Sequence, residues 1–141
     1  MANDDETPGG EASADVGATR ILTHSLSEAD LALFALVMGE AELEAEAQLD
    51  AAPGYRRVAP PALLAALLTT SAAQHSEHPE SARFVSGQMR FVAPAYAEET
   101  VQASATVTAV DDATGALRIT ARCEAGDGRR LAEADFLMQR D

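Results

Sequence analysis

The sequence has no lysine and no tryptophan, a single cysteine, and few aromatic residues. One thiol, Cys123, excludes an internal disulfide framework and any zinc site built from several cysteines. No apolar run approaches the roughly eighteen residues that a transmembrane helix requires. Residues 1–17 are acidic and polar, which is unlike a secretory signal or a transit peptide. With a length of 141 residues, these features predict a cytoplasmic protein of one domain.

Positive charge is also scarce. Ten arginines stand against 23 aspartates and glutamates, which gives a net charge of −13. Such a surface repels nucleic-acid phosphates and anionic lipids, so neither nucleic acid nor a membrane is an expected partner. Two explanations of the composition stay open. A GC-rich genome favours arginine over lysine, whereas a salt-adapted (halophilic) protein carries excess carboxylates whose mutual repulsion is screened by salt.

The amino-terminal part divides into a tail and a first helix. Residues 1–17 combine acids, glycines and a proline with almost nothing to bury, so we expect a disordered acidic tail before a single domain over 18–141. Ser27 is the predicted N-cap of a helix whose apolar residues recur at helical spacing until Gly39. Residues 40–52 form a further acidic stretch that favours helix.

The segment 60–73 predicts the central helix of the domain. Pro60 and Pro61 suit the start of a helix, because proline is tolerated at the first helical position. The following residues are apolar or small on every side, and a helix without a polar face is a buried one. We therefore expect the rest of the domain to wrap this helix.

The region after residue 82 alternates between apolar and polar residues, the pattern of strands with one buried face. The alternating runs are 83–92, 101–109, 117–124 and 132–139. Gly87 interrupts the first run, which indicates a bulge or a close contact. Turn residues at 111–115 and 126–128 join the later runs as hairpins. The sequence therefore predicts an antiparallel sheet beside the buried helix.

Three short motifs, in this order along the chain, resemble those of a known family. They are Ser27–Asp30 with Phe34-Ala35 and Gly39, then Val58-Ala59-Pro60-Pro61, then Met89–Pro94 followed by Glu98-Glu99-Thr100-Val101. The last two are similar to Ala-Pro-Pro-Thr and to Arg-Phe-x-x-Pro with Gly-Asp-x-Val. Over roughly residues 20–140 the chain resembles the MaoC-like hydratase/dehydratase family, in particular its non-catalytic amino-terminal type of domain. The resemblance implies the α+β hot-dog fold, in which an antiparallel sheet wraps a long buried helix.

The family's enzymes carry Gly-Asp-x-Asn-Pro-x-His after the first helix, and this Asp and His activate water. Here Glu40 stands in the Asp slot and Ala45 in the His slot. Hydration of an enoyl thioester needs a base for the water and an acid for the α-carbon. The resemblance thus implies a protein that handles acyl thioesters of coenzyme A or a carrier protein, as a non-catalytic or partner-dependent subunit. It would form a homodimer, or a heterodimer with a catalytic hot-dog subunit.

Two other functions stay open. Glu40 can serve as the single catalytic carboxylate of an autonomous hydratase or acyl-CoA thioesterase if a second group assists it. Alternatively, the domain is a regulatory module that only binds an acyl group. None of these functions requires a cofactor.

Candidate ligand contacts lie around the start of the central helix. Because the two prolines that open this helix lack amide hydrogens, the amides of Ala62 and Leu63 are the first expected donors to a polarised thioester carbonyl. Arg56 and Arg57 lie just upstream. They are candidates for binding coenzyme A phosphates, with simple local ion pairs as the alternative.

No metal site is predicted. His75 and His78 have a spacing that fits one helical face, but they lie at the end of the helix beside Pro79, where histidines interact with helix carbonyls. Cys123 falls on the apolar side of its strand and is expected in the core. His24 is expected to be an ordinary strand residue.

Overall fold

A computed structural model of the chain describes residues 15–39 and 57–140. Two helices and five strands make up this part. They are β1 (Thr19–Ser25), α1 (Glu28–Val37), α2 (Pro61–Ala73), β2 (Arg83–Phe91), β3 (Thr100–Asp111), β4 (Ala116–Ala125) and β5 (Arg130–Gln139), with a 3₁₀ turn at Pro79–Ser81 before β2. The predicted strands and the central helix are therefore present near their expected boundaries.

The five strands form one antiparallel sheet in the order β1-β3-β4-β5-β2. Hairpins connect β3 to β4 and β4 to β5, as the turn residues predicted. The first strand pairs with β3, and β2 crosses over to pair with β5. The two edges of the sheet are consequently β1 and β2.

The core lies between α2 and the inner face of the sheet, the face that is turned towards α2. Apolar residues at alternate positions of β3 and β4 are buried, including Val101, Val107, Leu117 and Ile119. On the helix, the buried residues form one stripe, which consists of Leu64, Leu67, Leu68, Ser71, Ala72 and Ala73. Many of the core positions are alanine, so the helix and the sheet can approach closely.

One flank of α2 is exposed. Ala62, Ala66 and Thr70 are open to solvent in the single chain. We expected the rest of the domain to surround α2 on every side. Among the described residues of a single chain this expectation is wrong, because one flank of the helix is exposed. The sheet has two faces, and a single helix can be covered by the sheet on one side only.

The first helix begins as predicted. Ser27 Oγ accepts a hydrogen bond from the Asp30 amide at 3.0 Å, and Asp30 accepts one from the Ser27 amide at 3.3 Å, which completes a capping box. The helix ends before Gly39, whose φ of +79° is the left-handed conformation that follows many helix ends. The predicted acidic stretch 40–52 lies outside the described residues.

The first described residues are tied to the sheet. The Gly17 amide donates to the Val107 carbonyl oxygen at 2.8 Å, and the Val107 amide donates to the Ala18 carbonyl at 3.0 Å. Backbone pairing thus starts one residue before the predicted start of the domain, whereas positions 1–14 of the predicted tail lie outside the described residues. Among the helices that are described, neither is long and apolar enough to cross a membrane.

Candidate functional site

An apolar cleft of about 290 Å³ opens at the start of α2. One wall comes from the helix and the residues before it, namely Val58, Ala59, Pro61 and Leu64. The other wall comes from the end of β2 and the segment after it, Phe91–Ala95. The volume is at the lower end of the range for small-molecule sites, and every lining side chain is apolar. The cleft therefore suits a small or unbranched apolar group.

Backbone hydrogen bonds hold the two walls together. The Ala59 amide donates to the Ala95 carbonyl oxygen at 2.8 Å, and the Ala97 amide donates to the Arg57 carbonyl at 2.8 Å. Between these bonds, Val58 and Tyr96 form an isolated antiparallel bridge. The segment before α2 is thus paired like a strand with the segment after β2, which fixes the width of the cleft.

The loop behind the cleft is fixed by Arg129. Its guanidinium donates to both carboxylate oxygens of Glu99 at 2.9 Å and to the Pro94 carbonyl at 3.2 Å. The same guanidinium lies 5.9 Å from the centre of the Tyr96 ring, a cation–π distance. The Glu99 carboxylate also accepts from the Tyr96 amide at 2.8 Å and holds the pKa of Arg129 above its usual value. All three bonds come from one nitrogen, Nη2, and the bonds to Glu99 are charge-assisted, which makes them stronger than hydrogen bonds between neutral groups.

Glu98 has an unusual backbone conformation beside this loop. Its φ of +72° is left-handed, and it is the one described residue other than glycine with a positive φ. Its amide donates to the Leu26 carbonyl at 2.6 Å, and its carboxylate accepts from the Glu28 amide at 3.3 Å. A left-handed φ is the conformation that glycine adopts at least cost, so glycine would suit this position. Here the side chain instead caps the start of α1.

A second apolar cavity, also of about 290 Å³, lies further along α2. It lies between Thr69 on the helix and the inner side of β2, where Phe84 and Met89 approach Phe136. Both apolar cavities thus lie along the same line, between α2 and β2. Larger depressions, up to about 610 Å³, lie on the outer face of the sheet, but polar and charged side chains such as Gln88, Arg90 and Glu133 line them.

Solved structures provide a comparison for this arrangement. An (R)-hydratase from A. caviae involved in PHA biosynthesis has a TM-score of 0.75 at 19% identity, over 92% of this chain and 98% of that one. The R-hydratase PhaJ1 from Pseudomonas aeruginosa has a TM-score of 0.74 at 20% identity, over 90% of this chain and 83% of that one. A chain of the ChsH1–ChsH2 complex from Mycobacterium tuberculosis has a TM-score of 0.62 at 22% identity, over 90% and 98%.

The chain has the hot-dog fold. This confirms the fold class that the motifs implied. No protein-family description matches the sequence, and no curated protein is detectably similar to it. At identities near 20% the solved structures establish the fold alone, so the chemistry of this hot-dog protein has to follow from its own residues.

The predicted contacts at the start of α2 are only partly available. Ala62 lies in the exposed first turn of α2, next to the cleft. The Leu63 amide, in contrast, donates to the Pro60 carbonyl at 2.9 Å. Leu63 is therefore not the free donor that the proline argument assumed, because the chain closes a tight turn at this helix start. The helix-start position that stays accessible is Ala62.

Arg57 is placed for a structural role. Its side chain is only 6% exposed, and its guanidinium lies 2.6 Å from the Glu28 carboxylate and donates to the Glu28 carbonyl at 3.2 Å. Arg57 thus ties α1 to the cleft wall through the kind of local ion pair that the sequence analysis gave as the alternative, and a coenzyme A phosphate would have to displace these contacts. Glu40, Ala45 and Arg56 lie outside the described residues, and their predicted roles stay predictions.

The cysteine and two of the histidines make contacts within the chain. Cys123 is buried, and burial raises the pKa of its thiol to about 12, so it is no nucleophile near neutral pH. His75 is buried and its Nε2 lies 2.8 Å from the Ala105 carbonyl oxygen. His24 pairs with Asp30 at 3.0 Å at the end of β1. No group of three metal-ligating side chains exists within residues 15–39 and 57–140.

Sequence reasoning missed most of the cleft itself. Phe91, Val92 and Pro94 line it, yet the sequence indicated only a strand over 83–92 and a family motif at these positions, and no ligand contact. The available signal was an apolar pair at the end of a strand followed by proline, since exposed apolar residues after a strand end favour a binding surface.

Proposed function

We propose that this hot-dog protein binds acyl thioesters, with the acyl part in the apolar cleft between α2 and β2. The observation that carries this proposal is the entirely apolar lining of the cleft directly beside a helix start. An acyl chain gains by leaving water, and the partial positive charge of a helix start favours a polarised carbonyl oxygen near Ala62. The similarity to (R)-hydratases supports the same class of ligand.

We further propose that the chain is a cytoplasmic subunit that does not hydrate thioesters alone. Ala45 in the family's His slot leaves no imidazole there to help a carboxylate activate water. In this proposal coenzyme A or a carrier protein carries the acyl group. A catalytic hot-dog subunit supplies the catalytic groups. The similarity to a chain of the ChsH1–ChsH2 complex is consistent with action in a hetero-oligomer.

A binding experiment tests the cleft. Val58 lines the cleft and is 48% exposed, so replacement by tryptophan can fill the cleft without entering the core. We expect Val58→Trp to weaken binding of crotonyl- or butyryl-coenzyme A at least about tenfold, measured by calorimetric titration. Ile21→Trp is the matched control, since Ile21 is exposed on the first strand, away from the cleft. Equal affinities of Val58→Trp and wild type would contradict the proposal.

The alternative of an autonomous hydratase or thioesterase rests on Glu40. As a non-catalytic subunit the protein should show no crotonyl-thioester hydration alone, and Glu40→Gln should leave the activity of a complex with a catalytic subunit nearly unchanged. If Glu40 is a general base, the same change should reduce activity about a hundredfold to ten-thousandfold. Glu44→Gln is the control, because it lies in the same acidic run but in no family slot. Equal losses from both changes would indicate an effect of local charge.

A further inference from the structure

The two walls of the apolar cleft are held in place in different ways. The helix wall belongs to α2, whose Leu64 is buried in the core. The opposite wall, Phe91–Ala95, begins where β2 ends and continues as irregular backbone. The Val92 and Ala93 amides both donate to the Leu131 carbonyl oxygen, at 2.8 and 3.2 Å. A site wall on irregular backbone is placed less precisely than one on a helix or strand, so further contacts are needed to fix it.

Arg129 contacts this second wall without lining the cleft. It lies just before β5, and its Nη2 donates to the Pro94 carbonyl oxygen at 3.2 Å and to both Glu99 carboxylate oxygens at 2.9 Å. Its Nη1 donates to the Asp127 carboxylate at 2.9 Å, and its own amide donates to Asp127 at 3.0 Å. The guanidinium is therefore fixed by its own turn on one side and by Glu99 on the other, and in that position it holds the backbone of the wall.

The same guanidinium is connected to the helix wall through Tyr96. It lies 5.9 Å from the centre of the Tyr96 ring, and the Tyr96 amide donates to Glu99 at 2.8 Å. Tyr96 forms the antiparallel bridge with Val58, which lines the helix side of the cleft. One cluster of charges thus contacts Pro94 on one wall and, through the Tyr96–Val58 bridge, the start of the other. Displacement of this cluster would change the distance between the two walls.

A second arginine next to the same wall provides a comparison. Arg90 precedes the wall by one residue and pairs with Glu133 on the outer face of the sheet. The side chain of Arg90 is 75% exposed, whereas that of Arg129 is 33% exposed and that of its partner Glu99 only 13%. Water screens exposed ion pairs, so they fix little, whereas a carboxylate that is mostly withdrawn from water keeps its charge-assisted bonds. Of these two arginines, Arg129 is therefore the one that can hold the wall.

We infer that Arg129 is a positioning residue that fixes the width of the cleft and thereby makes the cleft select unbranched over branched acyl groups. The inference rests on the proposed function, because it assigns the acyl group to this cleft. A methylene that a hydrophobic pocket accommodates or rejects is worth about 10-fold to 200-fold in selectivity. Such selectivity requires walls that do not separate when a wider group enters. Without Arg129 the Phe91–Ala95 wall can retreat, and a branched group of equal carbon number then fits nearly as well.

Calorimetric titration of the full chain with butyryl- and isobutyryl-coenzyme A tests the inference. The two acyl groups have the same number of carbons and differ only in branching. We expect wild type to bind the butyryl thioester at least about tenfold more tightly than the isobutyryl thioester. Arg129→Gln introduces a shorter, uncharged side chain that cannot span Asp127, Glu99 and Pro94. It should reduce the preference to less than about twofold, because the isobutyryl thioester loses less affinity than the butyryl thioester.

Two further variants keep the test independent of a general loss of stability. Arg90→Gln is the matched control, since it removes an arginine beside the wall that makes its ion pair on the outer face, and it should keep the wild-type preference. Glu99→Gln is milder than Arg129→Gln, because its amide oxygen can still accept from the Tyr96 amide while the charge is lost, and it should reduce the preference by a smaller factor. Circular dichroism reports that each variant is folded. The ratio of two affinities, measured on the same protein sample, does not depend on the fraction that is unfolded.

Three outcomes would overturn the inference. They are a wild type that binds both thioesters equally well, an unchanged preference in Arg129→Gln or, if that variant does not fold, in Glu99→Gln, and an equal loss of preference in Arg90→Gln. Binding of butyryl-coenzyme A to wild type separates these results from the proposed function. If wild type binds it and the preference does not depend on Arg129, only the positioning role is refuted. If wild type binds neither thioester, the proposed function is refuted and the selectivity with it.

Discussion

The two edge strands of the sheet, β1 and β2, differ in composition and in the apolar side chains that they expose. The first strand, β1, is short and mainly polar, and among its residues only Ile21 is a large, exposed apolar side chain. The second edge strand, β2, is longer and exposes Phe84, Val85, Met89 and Phe91. Polar residues suit an edge strand that is exposed to water, whereas apolar residues suit an edge strand that is covered.

Polar side chains fix the β1 side within the chain. Thr19 and Thr106 hydroxyls lie 2.8 Å apart across the outer face of β1 and β3, and Ser25 and Thr100 hydroxyls lie 3.2 Å apart further along. Each of these pairs satisfies groups that would otherwise need water. A further polar pair joins His24, near the end of β1, to Asp30 on α1. Hydrogen bonds from Ser27, together with His24, hold the pKa of the Asp30 carboxylate below its usual value.

The β2 side is held by shape more than by polar pairs. Arg90 donates through Nε to Glu133 at 2.8 Å on the outer face, and this pair lowers the pKa of Glu133. On the inner face the contact is aromatic, with the rings of Phe84 and Phe136 edge to face at a centroid distance of 5.2 Å. Val85 is bulged out of register between these two contacts. The comparison shows that polar side-chain pairs dominate at the β1 edge, whereas aromatic packing is added to the backbone ladder and the Arg90–Glu133 pair at the β2 edge.

The largest expected effect tests that packing. A Cβ at position 87 would lie 2.7 Å from Cδ1 of Phe136, which is closer than real contacts allow. Since Phe136 is buried and packs on Phe84, its ring has little room to move. We expect Gly87→Ala to lower the free energy of unfolding by about 2 kcal/mol, measured by urea titration. This also gives the physical reason for the interruption that the sequence showed at Gly87.

Gly126→Ala, in the turn between β4 and β5, is the matched control. A Cβ at Gly126 would meet its nearest atom, the Thr100 carbonyl oxygen, at 3.7 Å, an ordinary contact. We expect a change within about 0.5 kcal/mol. Equal stabilities of the two variants would mean that the Phe136 ring yields, and that shape does not hold β2.

Periodicity predicted the sheet because a buried face places an apolar residue at every second position of a strand. The central helix was predicted because apolar or small residues occupy all of its positions. The alternation from Val101 to Ala109 is an example, and it places Val101, Ala103, Ala105 and Val107 in the core. Ser27 likewise predicted the start of α1, since a capping box is a local interaction of four residues. Such features need no knowledge of the rest of the chain.

The site was harder to predict because its contacts join distant residues. Arg57 was a candidate for a phosphate contact or for an ion pair, and the sequence did not indicate that its partner is Glu28, 29 positions earlier. Arg129 clamps a loop 30 or more positions away. The apolar all-round composition of α2 predicted burial on every side, but among the described residues only one side of the helix is buried and Ala62, Ala66 and Thr70 are exposed.

The smallest expected effect concerns His75, which lies under the β1 side of the sheet. Its side chain is fully buried, and burial lowers its pKa below the ordinary value of 6.5, with Arg20 on β1 adding repulsion. Arg20 is opposite Ala105 in register, the residue whose carbonyl oxygen lies 2.8 Å from His75 Nε2. The folded state therefore keeps the imidazole neutral, so that Nε2–H donates to this carbonyl.

The sign of the pH dependence follows from that neutral state. Above pH 6.5 neither state protonates His75, so its full contribution to stability is present. As the pH falls below 6.5, the unfolded chain takes up a proton that the folded chain refuses, and the free energy of unfolding decreases by at most about 1.4 kcal/mol per pH unit. Below the folded pKa the decrease from this residue stops.

His75→Gln should remove this part of the pH dependence, because an amide can donate to Ala105 and takes up no proton in this range. Acidic residues also titrate in the folded and unfolded chain, so the quantity to measure is the difference between the two curves. We expect wild type to lose more stability than His75→Gln between pH 7 and pH 5.5, by at most about 1 kcal/mol, measured by urea unfolding at constant salt. His78→Gln, at an exposed histidine three positions on, should follow the wild-type curve. Parallel curves for wild type and His75→Gln would show that folding does not lower the pKa of His75. They would also contradict the view that a charge is unfavourable in the core beneath the β1 side of the sheet.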